Sequence, residues 1–284
     1  MGGQRLLTVG QAGAEIAPRP VEAVADGDVV ATLRTLAHRY PPELVAAQVE
    51  DVPRIAFHIA LVRDRQLPSD VICDLGGGVG LFSLGCAALG MSSMLVDDFA
   101  DTISGHRPDS ILALHRAHRV DVRQQDVTAG LNVEPESLGA VTCFHSIEHW
   151  HSSPKKLLTD VMTALLPGGW FILAAPNAVN LRKRISVPLG FGNWSSMAEW
   201  YGAGQFRGHV REPVVADLRT IASHMGLVDV TICGRNWLGL QHRRTAVRLA
   251  TRLGGRLLEL RPSLCSDIYL IGRKPVEPGS RSGC

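Results

Sequence analysis

Acid and glycine crowd together in the stretch VICDLGGGVG, residues 71–80, where Asp74 is followed by Gly76, Gly77, Gly78 and Gly80. Glycines this dense let a backbone turn sharply and approach a ligand with no Cβ in the way. A dinucleotide fingerprint needs glycines at i, i+2 and i+5. Counting from Gly76 puts the third at Leu81, and counting from Gly78 puts it at Ser83, so both registers fail. A triphosphate loop needs Gly-Lys-Ser/Thr, and no lysine is near. What remains is acid-x-Gly-x-Gly-x-Gly. That pattern suits a ligand without phosphate at this point, such as a zwitterionic amino-acid group laid across the bare turn, its ammonium met by carbonyl oxygens or by Asp74. Asp97, in LVDDF, ends the next strand, where a carboxylate accepts both hydroxyl protons of a ribose. That spacing alone also suits a nicotinamide cofactor.

A second constellation is FHSIEHWH, with His145, Glu148, His149 and His151. Histidine titrates near neutral pH and can take a proton from a hydroxyl as its oxygen attacks an electrophile. His149 is the first candidate for such a base and His145 the second. The alternative is that Glu148 and His149 only brace the loop under the ligand. Histidines at i, i+4 can share a metal on a helix, but this segment connects a strand to a helix, and no metal is assigned. Trp150, Trp194 and Trp200 fall on loops near strand ends, and His209 lies close by in sequence. They are candidates for an acceptor-binding wall; packing of a lid is the competing reading.

These residues must be held by alternating strands and helices. From Asp70 the chain reads as VICDL strand, GLFSLGCAALG helix, SSMLVDD strand, PDSILALHRAHR helix, VDVRQQDV and GAVTCFHS strands, SPKKLLTDVMTALLPGG helix and WFILAAPN strand. The near-continuous apolar run of the last is that of a strand buried on both faces. The succession predicts an α/β fold with a doubly wound, mostly parallel sheet. Before it, Val29, Leu33, Leu36 and Tyr40 repeat at helical spacing, and residues 41–64 read as two short helices broken before Pro53. Residues 180–212 interrupt the alternation with glycines and aromatics and no helical period, as a lid does. It should be mobile without ligand and ordered with it. The expected organisation is a flexible arm at 1–27, a helical cap at 28–69, a ligand-binding domain at 70–274 carrying the 180–212 lid, and a disordered tail at 275–284.

The motifs together resemble the class I S-adenosylmethionine-dependent methyltransferases. Asp74 to Gly80 resembles their first motif. MLVDD is similar to their second, with Asp97 in the ribose position. RQQDV resembles the third, which implies Asp126 facing the adenine amine and Val127 offering its N–H. The segment from Val141 to Asn177 is most similar to the ubiquinone-biosynthesis type of O-methyltransferase, sharing the Glu-His pair and the Leu-x-Pro-Gly-Gly turn; Phe144 then takes the position whose backbone meets the methionine end. GHVREPVVADLRTIASHMGL resembles a late helix of the same relatives. The resemblance runs in order over roughly residues 70–275 and implies a seven-stranded, Rossmann-like sheet whose last strand is antiparallel. It implies methyl transfer from S-adenosylmethionine to a small molecule. A hydroxyl of a natural product, sugar or lipid-linked precursor is the first expectation and an amine the second. A non-catalytic cofactor-binding scaffold is the rival of a different class.

Composition limits the partners. Lys and Arg number 29 against 27 Asp and Glu, a net charge of +2, which does not suggest nucleic acid. No apolar run suggests a membrane span, and the beginning of the sequence lacks a secretory pattern. Six scattered cysteines without a CxxC pair read as free thiols of a cytoplasmic protein. Arg244, Arg248, Arg252 and Arg256 repeat every fourth residue, so 243–260 reads as a basic amphipathic helix, either a solvated face or a surface for anionic lipid or phosphate. The oligomeric state is not legible.

Overall fold

The computed structural model describes residues 26–100, 108–192, 195–202 and 206–276. Trp194, and most of the arm and tail read from the sequence, lie outside the described residues. Helix α1 (Gly27–Ala37) is capped by Asp26, whose side chain accepts from the Asp28 N–H at 3.2 Å. Val29, Leu33, Leu36 and Tyr40 are all buried, as their spacing predicts. Helix α2 (Pro42–Arg63) corrects one expectation: it runs through Pro53 as a single helix. An internal proline costs about 3 kcal/mol. Val52, Ile55, Ile59 and Val62 lie on both sides of it and are all buried. Burial of each contributes about 1.5–3 kcal/mol, so a continuous helix wins.

The alternation then proceeds through β1 (Val71–Leu75), α3 (Leu81–Ala88), β2 (Ser92–Asp97), α4 (Pro108–Ala117), β3 (Asp121–Gln124), β4 (Leu138–Phe144), α5 (Lys155–Ala164) and β5 (Leu165–Pro176). After β5 come α6 (Leu181–Ser186), α7 (Met197–Gly202), α8 (Val215–Met225), β6 (Val228–Arg235), α9 (Trp237–Leu240), α10 (Thr245–Glu259) and β7 (Asp267–Arg273). One seven-stranded sheet has the order β3-β2-β1-β4-β5-β7-β6. Pairs among β1 to β5 are parallel, and β7 runs antiparallel to both neighbours. The α/β class, the seven strands and the antiparallel last strand are as expected.

Helices cover both faces. On one, Leu33, Ile59, Leu84 and Ile111 pack with Ile72, Leu95, Ile172 and Tyr269. On the other, Leu157, Val161, Leu218 and Ala222 pack with Leu75, Val141, Phe171 and Leu270. The N-terminal helices thus share a core with the sheet. Gly85 makes this close approach feasible: a Cβ there would come within 2.7 Å of Ile59 and Leu33 side-chain atoms. Strand order reverses between β1 and β4, and open α/β sheets bind ligands at the carboxyl ends of strands beside such a switch.

The 180–212 insertion is more regular than its composition suggests. The Asn180 side chain accepts from the Lys183 N–H at 3.0 Å and starts α6. Ser196 and Glu199 exchange bonds across the start of α7. Each helix has six residues, too few to show a period in sequence.

Candidate active site

The glycine turn after β1 lies at the switch point. Gly76, Gly78 and Gly80 adopt φ of +66°, +56° and +75°, a region that side chains disfavour. The Gly76 N–H donates to the Val96 carbonyl at 2.7 Å, and the Gly80 N–H to the Gly77 carbonyl at 3.0 Å. A Cβ on Gly76 would collide with Ser146, one on Gly77 with Asp74 and Leu95, and one on Gly80 with His115. At Gly78 a Cβ would meet nothing within 4 Å. Three of the glycines are therefore needed for packing, and Gly78 opens onto space. Tyr40, at the end of the first helical segment, holds the turn by donating to the Val79 carbonyl at 2.8 Å.

Above the turn is a cleft of about 580 Å³. Its acidic wall comes from β2 and β3. Buried Asp97 accepts from the Gly78 N–H at 2.8 Å and from the Phe99 N–H at 2.7 Å, so it ties the glycine turn to the end of β2. Asp98, which also lines the cleft, pairs with Arg207 of the insertion at 2.8 Å. Partial burial opposes ionisation of Asp98, but the Arg207 hydrogen bond prevails and holds its carboxyl low. Asp126 accepts from the Thr128 N–H at 2.8 Å and its hydroxyl at 2.7 Å, which places Val127 on the cleft.

The facing wall follows β4. His145 has φ of +53° and a half-buried ring, 3.7 Å from a Glu148 oxygen and 3.6 Å from an Asp267 oxygen. Desolvation, then Arg54 and neighbouring histidines, keep it well below the usual histidine range, so it is neutral. Burial pushes the Glu148 carboxyl up to about 7. The Glu148 carbonyl accepts from the Val210 and Arg211 N–H groups at 2.7 and 3.1 Å, docking the insertion. The His149 Nδ1 lies 2.8 Å from the Arg207 carbonyl. A carbonyl only accepts, so Nδ1 carries the proton and Nε2 is the basic nitrogen. Trp150 donates to Ser146 Oγ at 3.0 Å, beneath Gly76.

The sequence candidates sort accordingly. Gly76, Gly78, Asp97, Asp126, Val127, His145, His149 and Trp150 line the cleft. Asp74 is buried beneath the turn, its oxygens accepting from Thr142 at 2.7 Å and Ser83 at 3.3 Å. Burial lifts its carboxyl to about 7 against those two bonds. Gly77 faces Asp74. Phe144 points inward, its ring stacked on His58 at 3.9 Å. His209 stands behind His149, edge-on at 4.8 Å, and pairs with Glu212 at 2.8 Å. Glu212 also pairs with Lys183, so these residues pin the insertion. Trp200 is exposed and away from the cleft lining. Glu148, His149 and His209 bring metal-ligating atoms within 4.8 Å of one another. The hydrogen bonds of the two imidazoles to Arg207 and Glu212 already account for that grouping.

Sequence reasoning missed Arg207, Ser146 and the buried acid Asp267. The signal for Asp267 was a charge at the head of the apolar strand DIYLIG. Arg207 carried none, because its partner Asp98 is 109 residues away.

Residues 46–232 match the family model of a methyltransferase domain, well over half of the chain. The chain belongs to this family, as a class I S-adenosylmethionine-dependent methyltransferase. It is 32% identical over 111 residues to a ubiquinone biosynthesis O-methyltransferase of Xanthomonas campestris pv. campestris, a match covering 39% of this chain and 45% of that protein. The chain thus spans less than half the length of the curated relatives it matches. Among solved structures, a methyltransferase from Thermotoga maritima superposes with a TM-score of 0.54 at 13% identity, over 85% of this chain and 99% of that one. One from Archaeoglobus fulgidus gives 0.50 at 18% identity, over 76% and 91%. Both are likenesses of fold.

The turn fits S-adenosylmethionine. Gly78 leaves open the space a side chain would fill, and the Asp97 carboxylate lines the same cleft.

Proposed function

We propose that the chain methylates a hydroxyl of a small molecule, with His149 as the proton acceptor. The observation that carries this reading is the fixed tautomer of His149. Its Nδ1–H is held by the Arg207 carbonyl in the lining of the cleft, so Nε2 is the basic nitrogen. The cofactor supplies a methyl group made electrophilic by the positive charge on its sulfur. Gly76, Gly77 and Gly78 carry its amino-acid end with the backbone of Phe144, and Asp74 supports that turn from below. Asp97 accepts from the ribose, and Asp126 with Val127 receives the adenine. Trp150 and Phe206 border the space left for the acceptor. The chain's chief contribution is alignment of acceptor oxygen, methyl carbon and sulfur. His145, neutral and half-buried, orients the loop, with His149 taking the proton.

His149→Ala tests the base directly. Its kcat should fall about 10²–10⁴-fold with cofactor affinity nearly unchanged, and the acidic limb of the pH–rate profile should vanish. If affinity and thermal midpoint fall together with the rate, His149 is a brace. If the rate survives, the acceptor is an amine already neutral at working pH. The five described cysteines are buried free thiols, which supports a reducing compartment such as the cytoplasm. Among the described residues no helix is long and apolar enough to cross a membrane.

A further inference from the structure

Helix α10 packs on the domain with the wrong face for an ordinary surface helix. Its inner side is Val247, Thr251, Gly255 and Leu258. Thr251 sits so tightly against α9 that a Cβ on Gly239 would collide with it. Its outer side carries Leu249, Leu253 and Leu257, one turn apart and 55%, 75% and 72% exposed, with Leu260 beyond them at 54%. Arg252 and Arg256 flank this stripe, Arg243 and Arg244 precede it, and Arg261 follows; all five are exposed. The single acid of the segment, Glu259, is paired with Arg235 at 2.6 Å. The chain as a whole is nearly neutral at +2, so this positive charge is local.

We infer that α10 is a docking surface for an anionic lipid bilayer, lying in the plane of the interface. The leucines would enter the acyl boundary, and the arginines, with long apolar stems and charged ends, would stay among the phosphates. Charge complementarity decides against a second copy of the chain. A two-fold contact brings the same patch against itself, and here that sets arginines facing arginines with no acid free to pair them. The placement is apt. Helices α9 and α10 leave from the end of β6 and return at the start of β7, where Asp267 pairs with Pro176 at the end of β5. Asp267 is also 3.6 Å from His145 of the cleft. The helix therefore springs from the end of the sheet that holds the active site, and docking brings that end to the lipid. This inference does not depend on which acceptor the enzyme uses.

Sedimentation of the full chain with vesicles tests it. Phosphatidylcholine vesicles should bind little, and vesicles with ~30% phosphatidylglycerol should bind strongly at low salt and weakly at high salt. Leu253→Glu/Leu257→Glu and Arg252→Glu/Arg256→Glu should each weaken that binding about tenfold or more. The milder Arg252→Gln/Arg256→Gln, which keeps every leucine, should also lower it. Unchanged affinity for S-adenosylhomocysteine establishes that the variants are folded. No binding by the wild type, equal binding to neutral and anionic vesicles, or undiminished binding by the Arg→Gln pair would overturn the inference. So would light scattering that shows a dimer dissolved by the leucine substitutions.

Discussion

Removing the Asp97 carboxylate should have two separable effects, because the group has two kinds of partner. In the structure its oxygens already accept from the Gly78 and Phe99 N–H groups, at 2.8 and 2.7 Å. In the proposed complex it also accepts from both ribose hydroxyls. A hydrogen bond to a charged group contributes about 1.5–3 kcal/mol, so losing the two ribose bonds costs about 3–6 kcal/mol of cofactor binding. At 1.4 kcal/mol per factor of ten, Asp97→Ala should weaken S-adenosylmethionine by about 10²–10⁴-fold. The same substitution should leave the protein folded but less stable. The two backbone N–H groups lose their acceptor, and because the cleft admits water the net cost is about 1–3 kcal/mol. For a domain of this size that lowers the thermal midpoint by about 2–10 °C. Titration calorimetry and thermal melts read the two effects independently. A lowered midpoint with unchanged affinity would refute the ribose assignment and leave Asp97 as a brace for the glycine turn. Asp98→Ala is the control: its carboxylate pairs with Arg207, so it should lose far less affinity.

Gly78→Ala should fold with a midpoint only slightly lowered, since the strain of φ +56° costs about 1–2 kcal/mol, yet it should lose cofactor binding because its methyl enters the cleft. Gly76→Ala should instead unfold at a clearly lower temperature, because its Cβ collides with Ser146; equal melting of the two variants would contradict the packing described. Burial holds the Asp74 carboxyl at about 7, whereas in an unfolded chain it ionises near ~4. The native state then binds the extra proton between those values, and Asp74 removes stability as pH rises through that window. Buried His58 and half-buried His145, both held well below their usual range by desolvation, act with the opposite sign, so the test is a difference. The midpoint of Asp74→Asn relative to wild type should rise by about 5 °C or more between about pH 5 and pH 8, and a constant offset would show Asp74 ionised throughout.

Much of this was written in one dimension. The glycines, Asp97, the strand–helix alternation and the apolar run of β5 are local patterns, imposed by backbone conformation and by burial on two faces. They sufficed for the fold class and the order of elements; the cofactor was legible only through the resemblance of these motifs to a known family. The break before Pro53 was misread because a local penalty was weighed without the burial of Ile55, Ile59 and Val62, which exists only once α2 meets the sheet. The short helices of the insertion were invisible for a related reason: six residues carry no period, and α6 is tied from outside by Lys183, which with His209 meets Glu212. Sequence register already favoured Asp97 over its neighbour Asp98, but only the tertiary structure gave them their partners, Gly78 for one and Arg207 for the other. Only it could turn Asp74 beneath the loop onto Thr142 and set the tautomer of His149 by a carbonyl 58 residues away. The leucines of α10 make the same point: sequence shows an amphipathic helix, but which face the domain covers is decided by where Gly239 and Thr251 meet. Types and spacings of residues follow from chemistry along the chain; the direction of a side chain, and so its proton and its partner, depends on contacts that form only between distant segments.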